Sequence, residues 1–424
     1  MSRHRRGGAY ILVLGVAMLV TVIGMAALMT TRLAAREANS STDWEEAGTL
    51  AQAAVEHAIS YLNAKVTANP TGWRAAFTSY TPGSGVYAFT QSAGRGTFNW
   101  AVKDEVDGNF SNNYVDPFRL YGIGKVGLAT RVYSVQIVPA GSPLDVLRCA
   151  VHANGNVTQS GVICCGSNAA GYTGPLSSNA KISFTNFVYG NVEAVTTSGA
   201  NSLVKGTLTT PAAVKTMPSP GVYNLYLNKA TVIPWSALSN SIAPGLLSST
   251  YNPYGTTNPD GVYSITVPAA QSLTISSSRI KGTLLISMSG GSLNLTGPIL
   301  WEPNRTDFPI LIINGSGVSV SISGSTTWLS ESAVGMDLDG DNLTTHDLPP
   351  QYRGLIHIIG STNTVMVSNN AYIRGLLLTD GALSTSGQTT FVSDSTLYTK
   401  PPIGYGLGDQ LMIVPGSWVW DSTP

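Results

Sequence analysis

A run of 25 residues, Gly7 to Thr31, contains no charged side chain. No other feature limits the chain so strongly. About 20 consecutive apolar residues cross a bilayer as one helix. Arg3, Arg5 and Arg6 precede the run, with His4 among them. By the positive-inside rule such a cluster keeps the N-terminus in the cytoplasm. The expected placement is a single-pass inner-membrane protein, with its C-terminal bulk periplasmic or extracellular. A buried helix of a soluble domain is rarely so long and uninterrupted. A secretory signal has an apolar core of only ~7–15 residues before its cleavage site. Here the helical pattern continues instead.

Ala51, Val55, Ile59, Leu62 and Val66 recur at helical spacing, and Glu45, Glu46, Gln52, Glu56 and Ser60 are polar. Asn69-Pro70 ends the pattern. Thr42 with Glu45 fits a capping box, which predicts a break or kink near Asn39 to Thr42. The expectation is a transmembrane helix over 9–31 and a continuation over 32–69 that packs on a domain outside.

The junction Arg5-Arg6-Gly7-Gly8-Ala9-Tyr10-Ile11-Leu12-Val13 resembles a type IV prepilin leader. Leu50-Ala51-Gln52-Ala53-Ala54-Val55-Glu56-His57-Ala58-Ile59 is similar to the helix of PilX-type minor pilins and K-type minor pseudopilins. The resemblance implies a leader over 1–8, cut between Gly8 and Ala9 by a prepilin peptidase. It also implies partners: other pilin-like subunits and an inner-membrane assembly machinery. Most pilins carry Glu at the fifth mature position, where its carboxylate pairs with a neighbour's amino terminus. That position is Val13 here, as it is apolar in K-type pseudopilins and some minor pilins.

Residues 70–139 read as a small β-sheet unit. Phe98, Trp100 and Val102 alternate onto one face, as do Tyr133, Val135 and Ile137. Tyr121 to Arg131, with Gly122 and Gly124, resembles the sheet of PilX-type proteins. The module is therefore expected to be α+β, a long helix laid on an antiparallel sheet. Residues 140–150 read as a linker.

Beyond the linker the composition changes. Residues 151–424 hold 10 Lys/Arg and 13 Asp/Glu, and Ser, Thr, Asn, Gly and β-branched residues dominate. An apolar-x-Gly motif recurs at Gly190, Gly206, Gly282, Gly354 and Gly375. Steps of this kind suit a parallel β-solenoid, whose rungs need tight corners and inward apolar residues; a β-sandwich with ordinary turns is the alternative. The stretch Thr210 to Tyr263 lacks the motif and reads as an insertion.

Over the whole chain, 23 Lys plus Arg balance 23 Asp plus Glu, and only 11% of residues are charged. No basic excess exists to neutralise phosphates, so nucleic-acid binding is not expected. With 43% hydrophobic residues the chain can build a core, which argues against disorder.

Candidate sites are few. Cys149, Cys164 and Cys165 are candidates for a disulfide, because an exported compartment permits one. Asp337, Asp339 and Asp341 alternate in an Asp-rich stretch that Asp347 closes. Three hard carboxylates on one side of a tight loop suit Ca²⁺, the one cofactor considered. Asn342 stands where such loops carry Gly, and no bidentate Glu closes the stretch. Arg279, Lys281, Arg353 and Arg374 recur near the glycines without an acid cluster beside them, so no catalytic residue is expected. The function expected is that of an exported, membrane-anchored minor pilin-like structural protein that displays a β-domain. An uncleaved membrane-tethered surface adhesin is the alternative, and a β-helix polysaccharide-active enzyme a more distant one. Any surface glycan or protein ligand of the β-domain is left open.

Overall fold

The computed structural model describes residues 6–69, 72–106, 108–111, 116–167, 171–408 and 410–421. Helix α1 runs unbroken from Arg6 to Ala68, about 95 Å at ~1.5 Å per residue. The expected break near Asn39 to Thr42 does not occur. Thr42 does not cap a new helix; its hydroxyl donates back to the carbonyl of Ala38 at 2.9 Å. Such back-bonding is compatible with an intact helix.

The outer half of α1 lies on an antiparallel meander. Its strands are β1 (Phe89–Ala93), β2 (Gly96–Asp104), β3 (Phe118–Val126) and β4 (Ala129–Ala140). Phe98, Trp100, Val102, Leu120, Val135 and Ile137 form one core with Ala54, Val55, Ala58, Leu62 and Val66 of the helix. Helix and sheet approach very closely because both present small residues. A Cβ on Gly124 would lie 2.0 Å from the Ala47 carbonyl oxygen, and one on Gly122 would lie 2.4 Å from that of Ala51. The Gly-x-Gly of β3 is thus a contact requirement.

This head is completed from the far end of the chain. β5 (Gln410–Ile413) and β6 (Val419–Asp421) both pair antiparallel with β4. The second domain expected over 151–424 therefore ends sooner, and it is an insertion between β4 and β5. Residues 140–150 are also no free linker. Leu144, Val146, Leu147 and Cys149 are buried, and the Leu144 amide donates to the Tyr405 carbonyl where the returning chain passes (3.3 Å).

The inserted region is a parallel β-solenoid with three faces. The glycine motif marks its corners. Gly354 pairs with Gly375, and a Cβ on Gly375 would lie 2.1 Å from the Gly354 oxygen. Gly206 stacks on Gly190 in the same manner. Corner residues pile up rung over rung, and no side chain fits between them.

The coils are not stacked in chain order. The first coil, beginning at Val151–Ala153, lies between Leu176–Phe184 on one side and Tyr372–Thr379 on the other. The chain winds outward from this coil to Leu208–Thr209. It then crosses to the opposite end and winds back from Thr231–Val232 until it closes on its own first coil. The stretch read as an insertion, Thr210 to Tyr263, makes this crossing. Its helix α2 (Val222–Leu227) packs Val222, Tyr223, Leu225 and Tyr226 against Val262, Leu285, Ile312 and Leu355. This covers one face of the solenoid. The other two are a hydroxyl-rich face and a face that carries the basic residues.

Candidate functional site

Helix α1 divides sharply. Tyr10, Val13, Leu19, Ile23 and Met29 are each more than half exposed, whereas Ala47, Ala51, Val55 and Leu62 are fully buried. An apolar stretch from Tyr10 onward is long enough to cross a membrane, and it is compatible with a single-pass anchor. Gly8 and Ala9 lie within the helical backbone, whereas Met1 to Arg5 of the leader fall outside the described residues.

On the hydroxyl face, strands Ser272–Lys281, Ser292–Glu302, Ser319–Ser323 and Thr364–Ser368 stack in parallel register. Leu273, Leu293, Val320 and Val365 point inward and are buried. The alternate residues point out: Ser272, Ser292, Ser319 and Thr364 form one rank, and Thr274, Asn294, Ser321 and Met366 the next. Neighbours in a rank are about 4.8 Å apart. No charged side chain occurs among the outward positions of residues 272–276, 292–296, 319–323 and 364–368.

The Asp-rich loop is docked on the basic face. Leu338 packs with Leu300 and Leu329 of a small separate core, and Arg279 donates to the Leu338 carbonyl at 2.5 Å and to Glu302 at 2.9 Å. Arg353 also reaches Glu302, at 3.5 Å. Asp337 accepts the amides of Asp339 (3.1 Å), Gly340 (2.6 Å) and Asn342 (2.8 Å). Asn342 has φ of +65°, so Asn serves where Gly was expected. Donor atoms of Asp337, Asp339 and Asp341 lie within 4.8 Å of one another. Asp347 belongs to neither donor group among the described residues; it sits in a short exposed strand paired with Ser330.

Two unforeseen residues take part. Glu331 is fully buried and accepts the amides of Leu338 (2.8 Å), Asp339 (3.2 Å) and His346 (3.0 Å). His346 Nδ1 lies 2.9 Å from Asp339 and 3.3 Å from Asp341. The hydrogen bond with Asp339 and then the charge of Asp341 raise the His346 pKa above the ordinary histidine value; Asp339 is lowered in return. His346 thus ties Asp339 and Asp341 together at one edge of the three-carboxylate group and does not meet Asp337 among its ion pairs. A lone His inside the Asp-rich stretch, next to Asp347, matches no metal-ligand spacing and so carries no signal in sequence.

The three cysteines are free thiols, so the disulfide expected among Cys149, Cys164 and Cys165 is not formed. Burial pushes the Cys149 and Cys165 thiols up to about 12. Cys165 points into the solenoid core, while its neighbour Cys164 faces the other way, as alternation along a strand requires. His152 is also wholly buried; burial, then the charge of Lys215, lowers its pKa to about 4.

No family model matches the chain, and no curated protein matches it. Among solved structures it is similar to an ice-binding protein from an Antarctic bacterium of the Flavobacteriaceae, with 14% identity and a TM-score of 0.29 over 60% of this chain and 49% of that one. This chain therefore spans about half the length of that protein. It is similar to the competence-associated pilin ComZ from Thermus thermophilus, with 11% identity and a TM-score of 0.27 over 90% and 96%. An ice-binding protein of Shewanella frigidimarina matches with 13% identity and a TM-score of 0.23 over 60% and 98%. These likenesses are too distant to assign a role, and the architecture above rests on its own strand pairings.

Proposed function

We propose that this chain is a membrane-anchored, pilin-like structural subunit. It is cut after Gly8, assembles through α1 into a type IV pilus or a type II secretion-like fibre, and displays the solenoid outside. One observation carries the reading: the two halves of α1. Fifteen large apolar side chains between Tyr10 and Leu33 are exposed. At about 2 kcal/mol each, their burial is worth on the order of 30 kcal/mol that the monomer does not gain. Lipid first, and sister helices later, supply that burial. Val13 stands where the resemblance implies a Glu, so its packing is apolar and forgoes charge pairing. The protein works by assembly and display rather than turnover.

Intact-mass analysis of membrane-extracted protein tests the processing step. A chain that begins at Ala9 is expected. A chain that keeps Met1 to Gly8 overturns the fibre reading and favours an uncleaved tethered adhesin.

The hydroxyl face supports a binding role for the displayed solenoid. An uncharged array made mainly of Ser and Thr suits a repeating hydroxyl-rich surface, such as a glycan, or ice, for which the two ice-binding neighbours are named. Ser321→Lys puts a charge in the middle of this face and is expected to abolish such binding without changing the fold. Adsorption that is unaffected by Ser321→Lys removes this face from consideration.

A further inference from the structure

The loop 77–88 runs beside the last turns of α1 and is pinned to the sheet. Tyr80 donates its amide to Val102 (2.8 Å) and Ala88 donates to Trp100 (3.0 Å). Between loop and helix lies a cleft of about 550 Å³. Four rings line it. Tyr80 and Tyr87 stack with centroids 6.1 Å apart and planes 29° apart, and Tyr61 and Phe77 line it with them. Among the described residues Lys65 is the one charged lining residue, its ammonium 5.3 Å from the Tyr61 ring centroid. Among the described residues no carboxylate lines the cleft. The Ser84 hydroxyl oxygen accepts the Val86 amide at 3.3 Å, which leaves its proton available to donate.

We propose that this cleft binds an acidic sugar, a saccharide unit bearing a carboxylate. Tyrosine rings offer an apolar face for the C–H side of a pyranose and a polar rim for its hydroxyls. A concave, partly apolar site with a few directed polar groups is the usual form of a small-ligand site. Lys65, with no acid among the described lining residues, selects the carboxylate. Its place in the last turn also complements the helix dipole, but that role does not account for the aromatic walls. Tyr61 lies about 45 Å along α1 from Thr31, so the cleft stays clear of a membrane. The inference rests on residues 61–101 and does not depend on fibre assembly.

The test is a titration of the full chain in detergent micelles with a galacturonate disaccharide and with cellobiose, read by saturation-transfer NMR and calorimetry. The acidic probe is expected to bind with a Kd of about 1 mM or tighter, and the neutral probe about fivefold more weakly. Tyr61→Ala and Tyr87→Ala each weaken the acidic probe by about fivefold, with circular dichroism checking that each variant stays folded, since Tyr61 also packs against Phe89 and Trp100. Lys65→Gln brings the acidic probe to the level of the neutral one. The proposal is overturned if the acidic disaccharide does not bind, if both tyrosine variants bind it normally, or if Lys65→Gln keeps the preference.

Discussion

Between Tyr10 and Leu33, α1 carries fifteen large apolar side chains and leaves them exposed; between Ala47 and Val66 it relies largely on alanine, and Ala47, Ala51, Ala54 and Ala58 are fully buried. Where the partner is part of the same molecule, its shape is fixed. Small residues then let helix and sheet close to contact, with Gly122 and Gly124 as the matching floor. Under the proposed function the partner of Tyr10 to Leu33 is lipid or a sister helix, and bulky apolar side chains serve there without a fixed complementary shape. Surfaces of the first kind hold the fold. Surfaces of the second kind can change without unfolding the protein.

The largest effect expected from this contrast comes from truncation. A chain beginning at Thr42 keeps every helix residue of the head core and should be soluble and folded. A chain beginning at Gly72 loses Ala54, Val55, Ala58, Leu62 and Val66 from that core and should aggregate. Size-exclusion chromatography and circular dichroism decide this. Equal stability of the two chains breaks the distinction between the halves.

A pair of glycine substitutions gives a finer contrast. Gly124→Val forces a side chain into the Ala47 backbone and should cost about 3 kcal/mol, at the upper end for overpacking. Gly15→Ala meets nothing within 4 Å and should leave head stability unchanged, because its surroundings are supplied from outside. Denaturant unfolding of the full chain in micelles measures both.

On the solenoid, Glu331→Ala leaves the Leu338 and His346 amides without their acceptor, while the Asp339 amide keeps Asp337. The expected cost is about 2 kcal/mol, confined to residues 331–348 and read as faster proteolysis there. An unchanged digestion rate would mean that Leu338 and its small core hold the loop without Glu331.

Much of the architecture is legible in local sequence. Helical spacing located the half of α1 that is buried, and alternation placed Phe98, Trp100 and Val102 on the correct face of β2. The corner glycines identified the solenoid, because a tight corner is a local demand. Non-local features were not legible. Nothing in Gln410–Ile413 says that it returns to β4, and nothing in Val151–Ala153 says that its coil sits in the middle of the stack. The crossing by α2 was mistaken for an insertion because its packing partners lie on rungs far away in sequence. At the Asp-rich loop, spacing brings out Asp337, Asp339 and Asp341 but not His346, whose ring meets Asp339 and Asp341 while Asp347, its neighbour in sequence, stays outside both donor groups.

The smallest expected effect concerns that histidine. His346 binds its proton more tightly in the folded state, so its contribution to stability is complete below the ordinary histidine value of ~6.5 and is lost as pH rises through the raised folded value. Asp339 is lowered, so its contribution is complete above the ordinary value of ~3.9 and is lost as pH falls through the lowered folded value. The pair therefore helps most between those limits, and the gain is modest because both groups are well exposed. NMR titration should show a His346 midpoint above that of an unstructured histidine, and Asp339→Asn should bring it back. The same signal tests calcium. An ion held by Asp337, Asp339 and Asp341 competes with the imidazolium for the same oxygens, so millimolar Ca²⁺ must lower the His346 midpoint, and a chelator must restore it. A midpoint indifferent to Ca²⁺ assigns the loop to the internally partnered surfaces, with His346 as its counter-ion. A midpoint that falls assigns it to those whose partner comes from outside.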